Sequence, residues 1–134
     1  MKHKLTLLIA RLLAPLAAHA IAPTALKTEL LQDPLGIDTV KPRFSWIVEE
    51  ATPGAKQTAY QVQAASSPER LATPDLWDSG RLASGPSHLV EYAGKALGSR
   101  QQVWWRVKSW DKDGKETGWS KPAQFGSDRA GVPA

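Results

Sequence analysis

The 134-residue chain contains no cysteine. That excludes disulfides, thiolate metal sites and thiol nucleophiles, while leaving the redox compartment open. Beyond the first twenty residues the chain also lacks an apolar i, i+3, i+4 stripe long enough for a major helix, and it has no glycine-rich phosphate loop. Histidine is scarce: of the three, His3 and His19 fall within the first twenty residues and His88 stands alone. A single histidine on a strand is more often a surface or half-buried residue than a ligand or catalyst. The serines have no accompanying His-Asp arrangement. No metal or cofactor is expected from this inventory.

A lasting excess of one charge is missing as well. The chain carries 17 Lys+Arg against 13 Asp+Glu, but part of the excess sits at the front. The segment MKHKLTLLIARLLAPLAAHA has a basic start, an apolar stretch from Leu5, a break at Pro15, and Ala18-His19-Ala20 in the small-x-small pattern of a signal peptidase site. Residues 1–20 are therefore predicted to be a signal peptide cleaved after Ala20, delivering a periplasmic or secreted product. Arg11 would cost about 2.5–3.5 kcal/mol at a bilayer centre, which argues against a membrane anchor. Setting aside Lys2, Lys4 and Arg11 leaves 14 basic residues against 13 acidic, a net charge of +1. Such a balance lacks the footprint of nucleic-acid binding, and no membrane partner is expected after cleavage.

What remains is long enough for one domain and too short for two with separate cores. It breaks into seven β-type runs separated by Gly, Pro, Asp and Ser clusters: Ala25 to Leu31, Arg43 to Val48, Gln57 to Ser66, Leu76 to Arg81, Ser87 to Tyr92, Gln101 to Asp111 and Thr117 to Phe125. The fold class is all-β, a seven-stranded fibronectin III/immunoglobulin-like antiparallel β-sandwich over residues 21–126. Residues 127–134 read as a linker stub or disordered tail. Ser67 as a cap with Pro68 behind it can hold one helical turn. Asp111-Lys112-Asp113-Gly114-Lys115 superficially resembles a calcium loop, but Asp-Gly between two strands is a hairpin signal.

Alternation assigns the faces, because successive strand residues point to opposite sides. Phe44, Trp46 and Val48 share one side, as do Tyr60, Val62 and Ala64. In QQVWWRVKSWD, Val103, Trp105, Val107 and Ser109 face the core. Burying an indole removes roughly 150–250 Å² from water, worth about 4–6 kcal/mol, so Trp46 and Trp105 are the expected anchors between the sheets. Trp104, Arg106, Lys108 and Trp110 occupy the other side. There Trp104 and Trp110 are candidate carbohydrate-binding residues. The competing reading packs Trp119 on Arg106 as a cation–π ladder or makes the face a domain interface.

Several motifs then fall in order. LQDPLGIDTVKPRFSW, QTAYQVQAASSPERL, LWDSGR, YAGKAL, VWWRVKSWDKDGK and GWSKPAQF resemble, in order and spacing, the N-terminal fibronectin III-like domain of bacterial α-L-rhamnosidases, glycoside hydrolase family 78. The resemblance runs from about Leu26 to Phe125. It implies a non-catalytic accessory domain at the front of a large exported enzyme that removes terminal α-L-rhamnose with inversion. The catalytic acid and base of that family lie on an (α/α)₆ barrel, so the chain alone is expected to be inactive. Neighbouring domains of the parent enzyme are the implied partners.

Two departures accompany the resemblance. Val103 stands where the family places an aromatic, often the tyrosine that fastens the corner before this strand, so that tether is expected to be missing. The chain stops after GSDRAGVPA, where the family enters its next domain, which implies a truncated or frameshifted product or a detached module. The alternatives are a free-standing carbohydrate-binding module using Trp104 and Trp110, and a scaffold sandwich that binds protein through a strand edge. Asp33, Asp38, Asp111 and Asp113 at turns and Glu49-Glu50 at a strand end do not make the two-carboxyl pocket of an inverting glycosidase.

Overall fold

The computed structural model describes residues 21–49 and 56–128. The predicted signal peptide, Glu50 and residues 129–134 of the predicted stub lie outside the described residues. Seven strands appear among those described: β1 Thr24–Thr28, β2 Arg43–Ile47, β3 Gln57–Ala65, β4 Trp77–Asp78, β5 Val90–Glu91, β6 Gln101–Asp111 and β7 Ala123–Ser127. They form two antiparallel sheets, ordered β1-β2-β5 and β4-β3-β6-β7. The sandwich expected from alternation is the one observed.

The space between the sheets is filled by aromatic rings. Phe44 of β2 stacks on Trp105 of β6, with centroids 4.2 Å apart and planes 12° from parallel. Trp46 meets Trp105 and Tyr60 edge-on, and Val62, Val103, Val107 and Phe125 close the layer with no solvent exposure. The two indole N–H groups between the sheets each have an acceptor: Trp46 donates to Gln57 Oε1 at 2.9 Å and Trp105 to Thr28 Oγ1 at 3.2 Å. Those pairings remove the penalty of an unsatisfied donor in a dry core.

Four runs are well short of what alternation predicts: the Ser87 to Tyr92 run keeps only the two-residue β5, and three others show what cuts them. The first ends at Thr28, where Glu29 and Leu30 turn the chain back in a two-residue link with φ of 51° and 64°. Thr28 and Leu31 exchange both backbone hydrogen bonds across it, at 2.9 Å each. That link needs left-handed backbone at both central residues and usually recruits Asn-Gly; a leucine there carries about 1–2 kcal/mol of steric strain. The run from Leu76 yields only the two-residue β4, continued by an isolated bridge from Leu82 to Tyr60. The last run divides. Thr117 and Ser120 bond β6 both through their backbone N–H groups, to Ser109 O and Val107 O, and through hydroxyls that accept from Ser109 N and Val107 N. Pro122, which has no N–H for a ladder, delays β7 to Ala123.

β7 extends through Ser127, two residues past the predicted end of the last run at Phe125. Its outer edge is not open, because residues 33–37 strap it. Gly126 N donates to Pro34 O at 3.0 Å, Ile37 N to Gly126 O at 2.7 Å, Asp128 N to Ile37 O at 2.9 Å, and Gln124 N to Asp33 Oδ1 at 3.0 Å. Covering an edge in this way removes a template for strand addition. A Cβ on Gly126 would collide with the carbonyl oxygen of Leu35, so glycine is what lets the strap lie this close.

Candidate functional site

The outer face of the four-stranded sheet carries the residues singled out for binding, and they are joined to basic side chains. Arg106 lies over the Trp119 ring at 4.4 Å, and Lys108 Nζ stands 4.8 Å from Trp119 and 5.3 Å from Trp110. Arg81 covers Trp110 at 4.7 Å. The row continues in polar contacts: Arg106 Nε and Nη2 donate to Gln63 Oε1 at 2.9 and 2.7 Å, while Gln63 and Gln61 both donate to Asp78. Glu116 pairs with Lys108 at 3.7 Å. Burial presses the Arg106 guanidinium toward its neutral form, and the charge of Asp78 opposes that. This is the cation–π ladder expected for Arg106 and Trp119, and it extends to Trp110.

The two candidate carbohydrate residues consequently sit in different settings. Trp110 lies on the outer side as alternation places it, yet only 7% of it is exposed, beneath Arg81 and beside Lys108. Trp104 is half-buried, opposite Gln124 on β7 and Ala65 on β3. The two tryptophans are separated by the Arg106 and Lys108 positions of the same strand and do not form one continuous bare platform.

A groove of about 780 Å³ lies between β1 and the segment leading into β7, lined by Ile21 to Lys27, Gln32, Asp33, Trp119 and Lys121 to Ala123. Among the described residues its one carboxyl group is Asp33, already accepting from Gln124 N. The other acids weighed in the sequence serve local structure where their contacts are known. Asp111 Oδ1 accepts from Asp113 N and Lys115 N at 2.9 and 3.0 Å, and Gly114 has φ of +75°. That is the hairpin turn expected there. His88 is exposed, with Nδ1 3.4 Å from Ser45 Oγ.

One structural residue escaped sequence reasoning. The corner before β6, expected to lack its tether because position 103 is valine, is fastened from Tyr92. Its hydroxyl donates to Lys95 O at 2.6 Å, and a Cβ on Gly94 would meet that hydroxyl at 2.6 Å and Leu76 O at 2.5 Å. Burial, then the charge of Asp75, push the Tyr92 phenol up to about 12. A tyrosine followed two residues later by a glycine was the available signal.

Comparison with known proteins gives this architecture a family. Residues 23–127 match the family described as Rha78A-like, N-terminal immunoglobulin domain. The chain is 46% identical over 104 residues to an α-L-rhamnosidase of Streptomyces avermitilis, covering 78% of this chain and 10% of that protein. It is 42% identical over 106 residues to one from an Alteromonas species, covering 77% and 12%. The solved structure of the Streptomyces avermitilis α-L-rhamnosidase complexed with L-rhamnose superimposes with a TM-score of 0.79 at 44% identity, over 81% of this chain and 11% of that one. The α-L-rhamnosidase of Dictyoglumus thermophilum gives 0.79 at 33% identity, over 84% and 13%. The chain thus spans about a tenth of the length of these relatives. Two antiparallel sheets filled with aromatic rings and a family match over residues 23–127 agree: the chain belongs to the family of Rha78A-like N-terminal immunoglobulin domains.

Proposed function

We propose that this chain is the non-catalytic N-terminal accessory domain of an α-L-rhamnosidase. In this reading other domains of the parent enzyme hydrolyse terminal α-L-rhamnosides, and this one packs against them. The observation that carries the reading is where the indoles and carboxyls lie. The interior is occupied by stacked rings, and the groove contributes the single carboxyl of Asp33. Hydrolysis with inversion needs two carboxyl groups about 6.5–9.5 Å apart around a sugar. The reading also includes export to the periplasm or the exterior, supported by the leader-like character of residues 1–20; N-terminal sequencing of exported protein should begin at Ile21.

The test has two arms. Purified full chain should release no more chromophore from a chromogenic α-L-rhamnoside than a heat-denatured control. Substituted for the matching domain of the Streptomyces avermitilis enzyme, residues 23–127 should give an active chimera. Turnover by the chain alone, or an inactive chimera beside an active parent, counts against the reading.

A second reading, carbohydrate binding on the outer face, is favoured by one observation: the Trp104 ring has no cation or aromatic partner among the described residues, unlike Trp110 and Trp119. Quenching of tryptophan fluorescence by rhamnose that Trp104→Ala abolishes would support it. Quenching that survives this change would remove it.

A further inference from the structure

Three leucines lie exposed on the stretch that closes β1 and straps β7. Leu30 is 51% exposed, Leu31 54% and Leu35 86%. Leu31 and Leu35 are separated by no more than about 14 Å of extended chain. Scattered apolar residues on a surface mean little, whereas several gathered on one segment mark an interaction face. Leu30 also occupies left-handed backbone, φ 64°, in a turn that glycine would suit better. The folded domain therefore holds an apolar side chain outward at some conformational cost and makes limited use of it.

The position of this segment identifies what it faces. It is bonded directly to β7, the strand by which the chain leaves the sandwich: Pro34 O and Ile37 N bond Gly126, and the Asp128 side chain lies 3.5 Å from where a Cβ on Gly36 would stand. Ser127, the last residue of β7, is buried, and its hydroxyl has no partner among the described residues. In the relatives the matched part is an N-terminal domain amounting to about a tenth of the protein, so the rest of each relative follows from the end equivalent to β7. Whatever folds next begins beside Leu35, because the strap runs parallel to β7; Leu30 and Leu31 lie toward the start of that strand, where Gln32 and Asp33 line the groove with Lys121 to Ala123.

We propose that Leu35, with Leu31 and Leu30 behind it along the β7 side of the sandwich, forms the docking surface for the domain that follows β7 in the parent rhamnosidase, an apolar contact that starts at the exit of the chain. The proposal rests on the accessory-domain reading above and names the face that reading leaves open. The strap has a double role: its backbone seals the β7 edge, and its Leu35 side chain meets the neighbour.

The absence of cysteine supplies the test. Leu35→Cys places one thiol in the full chain, and Ile47→Cys and Leu82→Cys mark exposed apolar positions elsewhere. Maleimide labelling at each position is followed by peptide mass spectrometry, in the free chain and in the chimera with the Streptomyces avermitilis enzyme. Labelling at position 35 should slow by about tenfold or more in the active chimera, as for a side chain entering a packed interface core, with positions 47 and 82 unchanged. Protection at 47 or 82 instead would overturn this surface and leave the accessory reading standing. An active chimera with no protection at any position would overturn this surface and leave the accessory reading standing. Concentration-dependent protection of position 35 in the free chain would make the occupant a second copy and overturn the assignment. Should the chimera not fold, the full chain is mixed with the relative shortened by its own N-terminal domain and the same thiol is read. Protection at 35 is again the supporting result, and its absence the refuting one.

Discussion

Replacing Tyr92 by phenylalanine isolates a single hydroxyl. The ring packs edge-on against Trp77 at 5.3 Å and Phe44 at 6.3 Å, and phenylalanine keeps both contacts. What disappears is the donor to Lys95 O at 2.6 Å; Leu76 O, 3.4 Å from the hydroxyl, still accepts from Lys95 N. A neutral hydrogen bond contributes about 0.5–1.5 kcal/mol net. The small void left against Gly94 brings the expected loss to about 1–1.5 kcal/mol. For a domain of this size, unfolding entropy near 2.1 cal/mol/K per residue converts that into a Tm lower by about 5–7 °C. The assay is thermal and urea unfolding at pH 7, and the loop from Tyr92 to Leu97 should also exchange its amides faster. A second signature depends on pH. The phenol titrates near 10 in the unfolded chain and at about 12 in the fold, raised by burial and then by Asp75. A group whose pKa folding raises gives stability that is complete below the unfolded value and lost as pH climbs through the folded one. Wild type therefore loses this contribution between about pH 10 and 12, and the phenylalanine variant has none to lose. Burial also raises Tyr60, so both proteins soften in alkali, but the gap between them should narrow. A loss below about 0.5 kcal/mol at pH 7, or a gap that holds constant to pH 11, would refute the tether.

Arg106→Ala removes the cation over Trp119 and both donors to the buried Gln63 Oε1, which should cost about 1–3 kcal/mol; urea unfolding checks it, and unchanged stability would free the outer face for a ligand. Gly126→Ala drives a Cβ into the Leu35 carbonyl. It should destabilise by about 1–3 kcal/mol and raise amide exchange across residues 34–37, while Gly114→Ala, with open space around it, strains only its turn. Leu30→Gly relieves the left-handed leucine and should stabilise the free chain by up to about 1 kcal/mol. In a chimera with a relative the same change should weaken the protection of position 35, and a free-chain Tm that falls would show that Leu30 serves the domain's own core.

Alternation identified the layer that matters for folding. Phe44 and Trp46, Val103, Trp105 and Val107, and Tyr60, Val62 and Ala64 all face inward as the period of two requires, because which side of a strand a residue faces is a local property of the chain. What covers the opposite side is not local. Gln63 alternates outward and is nonetheless buried, since Arg106 and Asp78 close over it. Trp110 alternates outward and is shut in by Arg81 from a different part of the chain. The candidate tryptophans were legible as outward residues; the Arg81 lid over one of them was not. Strand ends failed for related reasons: Pro122 was visible, but the hydroxyl bonds that let residues 117–120 hold β6 without a regular ladder depend on where β6 lies.

The same asymmetry explains why the leucine face is absent from any reading of the sequence. Nothing in LLQDPLG distinguishes a leucine that enters a core from one left outside, and the turn at Glu29-Leu30 has none of the Asn-Gly chemistry that announces such links. Only the strapping of residues 33–37 onto β7 turns Leu35 outward and sets it beside the end of the chain. An accessory domain does its work on surfaces its own fold leaves uncovered. For such a domain, the informative residues are those where burial and hydropathy disagree, and among the described residues three of the seven exposed large hydrophobics fall between Leu30 and Leu35, at the strap and the turn that leads into it.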